Sequence, residues 1–76
     1  MGYRHQHHLY KALEAKFKSQ RQTALATLDV YFTNPAGIGE HPQIVEEMEK
    51  QLILLSEAND CLETLKNNFH EMENYS

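Results

Sequence analysis

Asn34-Pro35-Ala36-Gly37-Ile38-Gly39-Glu40-His41-Pro42 divides the chain into two helical patterns of nearly equal length. Pro35 fixes its own φ and disfavours the helical region for Asn34, so a helix arriving from the N-terminal side must stop there. Gly37 and Gly39 allow the chain to reverse. Pro42 suits the first position of a new helix, where a missing N–H costs nothing. Pro35, Gly37, Gly39 and Pro42 are therefore read as a structural loop, and the loop predicts a helical hairpin.

The flanking periodicities agree. From Leu9 onward, Tyr10, Leu13, Phe17, Gln20, Ala24, Thr27 and Tyr31 recur in steps of three and four. No Gly or Pro interrupts this stretch, and good helix formers fill its middle. In the second half, Met48, Leu55, Leu62 and Phe69 hold one heptad position, and Ile44, Gln51, Ala58, Leu65 and Met72 hold the other. Glu46, Glu47 and Glu49 crowd its start, where the helix dipole favours negative charge. Folding at the loop sets Tyr10 against Leu65, Leu13 against Leu62, Phe17 against Ala58 and Tyr31 against Ile44. The same register sets Gln20 against Leu55. The expected fold is all-α: an antiparallel coiled-coil-like hairpin over 9–33 and 42–72, one domain, with 1–8 and 73–76 as frayed termini.

A chain of 76 residues seldom builds a core worth more than ~3–5 kcal/mol without a staple or a partner. Cys61 is the only cysteine, so no intrachain disulfide supplies one. Leu52, Ile53, Leu54 and Leu55 make one turn of the second helix apolar almost all round. Such a turn is normally buried on several sides, and a lone hairpin covers only one. These four residues are the expected interface of a homo-oligomer, a four-helix bundle being the economical form.

Charge is uneven along the chain. Residues 1–38 carry five Lys/Arg against two acids, and residues 39–76 carry two Lys against nine acids, within a net charge of −4. Opposite signs favour packing the halves together, within a chain or between chains. The acidic total opposes a dedicated nucleic-acid binder. No apolar run reaches the length of a membrane span, and no secretory segment is recognised. With a lone thiol, these features lead to the expectation of a cytoplasmic protein with no nucleic-acid or membrane partner.

Few residues invite chemistry. His5, His8 and His70 fall near one another if the hairpin register holds and the first helix reaches back far enough. They are the candidate metal ligands, in imidazole chemistry suited to zinc or a related ion. A solvated His-Gln-His-His run is the plainer reading. Gly37-Ile38-Gly39 ahead of a helix suggests an anion cradle, but no Lys, Arg, Ser or Thr stands beside it and Glu40 would repel the anion. Cys61 has the acidic neighbours Asp60 and Glu57 rather than an activating base. No cofactor is expected, and no nucleophile–base pair argues for an enzyme.

The loop, with Ile44-Val45-Glu46-Glu47 after it, resembles that of small uncharacterised helical-hairpin proteins of marine tailed phages, which share an N-P-x-G-I-G-E-H-P turn. The stretch Leu9 to Phe32 and the segment Leu62-Glu63-Thr64-Leu65 are similar as well. The resemblance implies a phage origin and action in the host cytoplasm. It carries no activity, cofactor or catalytic residue. The expected role is a small structural or interaction protein, a phage accessory factor that binds a host or viral protein. The alternative is a ligand- or metal-binding oligomer with sites between hairpins.

Overall fold

A computed structural model describes residues 2–34 and 43–73, with side chains from residue 6 onward. Two helices pack antiparallel, and no strand occurs among the described residues. Helix α1 spans Gly2–Thr33 and helix α2 spans Ile44–Phe69. A 3-10 turn, His70–Met72, closes the C-terminal end. The loop residues Pro35, Gly37, Gly39 and Pro42 lie outside the described residues. So do residues 74–76.

Helix α1 starts well before the Leu9 boundary expected from periodicity. Nothing in Tyr3-Arg4-His5-Gln6-His7-His8 breaks a helix, and the far end of α2 gives this extension a surface to lie on. His7 donates from Nδ1 to the carbonyl oxygen of Met72 at 3.1 Å, which ties the two ends together. Tyr10, one turn further on, is buried. At the other end, the Asn34 N–H still reaches the Val30 carbonyl at 3.0 Å, so helical bonding persists up to the residue before Pro35. Helix α2 begins with Glu46 and Glu47 in its first turn and carries no side-chain cap. Those carboxylates serve the exposed N–H groups through the dipole instead. It ends at Phe69, whose backbone leaves the helical region at φ −134°.

Among the described residues the buried ones are Tyr10, Ala24, Leu28 and Ala58. Ala58 is 0% and Ala24 1% exposed, and these small covered side chains let the helices pack closely at two levels of the rod, about two turns apart. Along α2 and the turn after it the more protected residues are Ile44, Met48, Gln51, Leu55, Ala58, Leu62, Leu65 and Met72, on the two heptad positions read from the sequence, with Cys61 on the flank beside them. Phe69 is the exception and stands exposed where the helix ends.

Along α1 the seam is rotated from the expected one. Tyr10, Phe17, Ala24 and Tyr31 form one line as expected. Their partners are His7, Glu14, Arg21 and Leu28, all buried or half-buried, while Leu13 is exposed. Gln20 and Thr27 are half-buried at the edge. A carboxylate is tolerated at Glu14 because Lys11 and Lys18, one turn either side, hold it at 3.4 and 3.8 Å. The Lys stems also cover apolar surface while their heads stay in water.

The molecule is a rod of 56 × 17 × 14 Å. Its radius of gyration, 16.7 Å, far exceeds the ~11 Å of a compact domain of this length. No described helix is long and apolar enough to cross a membrane.

Candidate functional site

The surfaces available for function follow from the rotation of α1. Gln20 fixes which flanks meet. Its amide donates to the Leu54 carbonyl at 2.9 Å and to Glu57 Oε1 at 3.1 Å. The flank of α1 carrying Gln6, Leu13, Gln20 and Thr27 therefore lies beside the flank of α2 carrying Leu54, Glu57 and Cys61. Leu13 and Phe17 accordingly share a groove with Cys61, Thr64, Leu65 and Phe69.

Toward the open end this side continues as an apolar groove of about 300 Å³. Leu9, Tyr10, Leu13, Leu65, Phe69 and Met72 line it, with Gln6 at its edge. Tyr10 and Leu65 thus meet as the sequence register requires. Phe17 lies beside Asp60 and Cys61, about one turn beyond Ala58, so the register is slightly advanced. The Tyr10 hydroxyl has its pKa raised above 10.0, first by burial and then by the negative charges of Glu73 and Glu14. It stays a neutral phenol through the physiological range.

The opposite side is set by the same geometry. Lys11, Lys18, Leu25 and Phe32 follow one another at seven-residue spacing on the other flank of α1, and Val45, Leu52, Asn59 and Lys66 do so on α2. This side is basic at the open end and apolar at the loop end. Leu25, Phe32, Val45 and Leu52 are 44%, 71%, 70% and 59% exposed.

The four residues expected at an oligomer interface do not share a face. Leu55 lies half-buried in the seam between α1 and α2. Leu52 joins the loop-end apolar patch, Ile53 points away from α1, and Leu54 lies on the Gln20 side. Leu52, Ile53 and Leu54 all remain exposed within the hairpin.

Of the candidate metal ligands, His8 and His70 are exposed, and the side chain of His5 lies outside the described residues. Among the described residues no group of three or more His, Cys, Asp and Glu side chains is placed to hold a metal ion. The histidine that connects the two ends is His7, which the sequence reading had passed over. Its Nδ1 faces the Met72 carbonyl, and its ring lies edge-on to His8 at 5.6 Å between centroids. A carbonyl only accepts, so Nδ1 carries the proton and Nε2 remains the nitrogen able to bind an ion or a second donor. The half-buried position of residue 7, in heptad phase with Glu14 and Leu28, was the signal that a longer first helix would have revealed.

Cys61 is a free thiol, half-buried on the Gln20 side. Asp60 beside it, and Glu57 one turn earlier, offer no activating base. Among the described side chains no buried polar atom lacks a hydrogen-bond partner. Comparison of the chain with protein families, with curated proteins and with solved structures gives no match.

Proposed function

We propose that this chain is a small interaction protein that works as a helical bundle of several copies, and that it serves as a phage accessory factor binding a host or viral protein. One observation carries the reading: among the described residues the hairpin leaves about half of the large apolar side chains exposed. Its accessible surface is 5942 Å², against roughly 4,800 Å² for a compact folded monomer of this mass. Among the described residues ten large apolar ones are exposed, against four buried residues of which two are alanines. Clustered apolar surface of that kind marks interaction sites on soluble proteins. Sedimentation equilibrium of the purified protein tests the reading. An oligomer at micromolar concentration supports it, and a well-folded monomer at every concentration rules it out.

The open-end groove favours a second reading, a binding site for a small apolar ligand. Its lining is almost wholly hydrocarbon and aromatic, in keeping with small-molecule sites. It lies within one hairpin rather than between two. Titration with an environment-sensitive apolar dye, comparing wild type with Leu13→Glu, separates the readings. Saturable binding lost in the variant supports a ligand site.

A further inference from the structure

We infer that a second copy of this chain packs on the Leu25–Phe32–Val45–Leu52 side, with the two-fold axis along the rod and the loop ends together. The inference rests on the self-association reading and specifies its face and orientation.

Two hairpins stacked face to face have two symmetric arrangements. With the axis along the rod, each α1 lies over the α2 of the other copy, and both loops sit at the same end. With the axis across the rod, α1 lies over α1, α2 over α2, and the loops sit at opposite ends.

Charge separates the two. Helix α1 carries five basic and two acidic residues, while α2 carries six acidic and two basic. Placing like helices together opposes like charges, whereas the axial arrangement surrounds each helix with antiparallel neighbours of opposite sign. Among the described residues no ion pair joins α1 to α2: those present, Lys11–Glu14, Lys18–Glu14 and Lys50–Glu47, each lie within one helix.

The apolar patch makes the same choice independently. On this side the exposed leucines, valine and phenylalanine lie at the loop end, and Lys11, Lys18 and Lys66 lie at the open end. Loops at opposite ends would press Phe32 and Leu25 onto Lys11 and Lys18 of the other copy, and Val45 onto its Lys66. Loops together put Leu25 of one copy over Leu52 of the other, and Phe32 over Val45. At 56 × 17 Å the whole rod face offers roughly 950 Å², close to the ~800 Å² that each partner of a stable pair buries, so the contact extends past the apolar loop half onto the open half.

The test combines variants with distance measurement. Leu25→Glu and Leu52→Glu are expected to weaken dimerisation more than about a hundredfold, because each buries an unpaired carboxylate. Leu13→Glu, on the other flank, is expected to leave dimerisation unchanged. All three residues are exposed in the hairpin, so helical content by circular dichroism should persist. Loss of the dimer by Leu13→Glu alone would overturn the proposed face.

Orientation is read with a spin label at Gln43→Cys in a Cys61→Ser background. Loops together place the labels ~25–30 Å apart, and loops at opposite ends place them ~45 Å apart. The longer distance would overturn the orientation and leave self-association standing. A monomeric wild type would overturn the proposed function itself.

Discussion

Tyr10 is where a single side chain reports on the whole open end. It is buried beneath the Met72 end of the chain, and Glu14 and Glu73 add negative potential around its hydroxyl. Its folded pKa is raised, so the folded state holds the phenolic proton more tightly than the unfolded chain. The stabilisation is complete below the ordinary tyrosine value of 10.0 and is lost as pH rises from there through the folded value. Melting temperature should therefore fall above pH 10 more steeply in wild type than in Tyr10→Phe. Identical alkaline slopes would show that the tyrosine is not in the environment described. Gln20 is the second reporter. Its amide makes the two hydrogen bonds that join the flanks, so Gln20→Ala should cost about 1 kcal/mol, seen in chemical denaturation. The site is half-exposed and water can replace part of the loss, which argues against a larger value.

Pairing of the two helices depends on the alanines. Ala58 and Ala24 have almost no exposed surface, each covered by the other helix at its own level of the rod. Ala58→Leu should force the helices apart and cost ~1–3 kcal/mol, with the helical content retained. A neutral outcome in thermal melts would mean that the helices separate freely at mid-rod. This element-level picture was largely legible in the sequence. The heptad of α2 was visible because its positions are apolar nearly throughout, with Ala58 as the small residue. The break between the helices was visible because Pro35 stops the first pattern just after Thr33 and the second resumes at Ile44. The seam of α1 was half legible. Tyr10, Phe17, Ala24 and Tyr31 announced themselves, but hydrophobicity drew Leu13 inward ahead of Glu14. Only the two lysines flanking Glu14 make the opposite rotation acceptable, and pattern counting does not weigh such pairs. The start of α1 was missed for a similar reason. Tyr3-Arg4-His5-Gln6-His7-His8 has no apolar period, and its helix is held by a contact to Met72, sixty-five positions away. The turn of Leu52 to Leu55 reads from the sequence as one that a lone hairpin would not cover. Its four side chains nevertheless point in different directions, and only Leu52 contributes to the patch at the loop end.

At the scale of the whole molecule, the balance between chain entropy and burial decides how the rod exists in solution. Among the described residues four are buried, two of them alanines, which gives little to set against the ordering of two long helices. A second copy on the apolar side would bury leucines, a valine and a phenylalanine that the hairpin leaves in water. It would do so while bringing basic α1 against acidic α2. If folding and association are linked in this way, the melting temperature must depend on protein concentration, since dilution favours separated chains. A hundredfold dilution removes about 2.7 kcal/mol from a two-chain unit. For a pair of this combined size that corresponds to a fall of roughly 5–10 °C. Added salt should lower the melting temperature further by screening the α1–α2 attraction, without abolishing the transition, because the apolar contacts are not screened. Chelators should leave the melt unchanged, because the apolar seam runs the length of the rod and asks for no ion. A melting temperature constant over the whole dilution series would show that one hairpin is stable alone, and its exposed flanks would then have to be explained by partners other than itself.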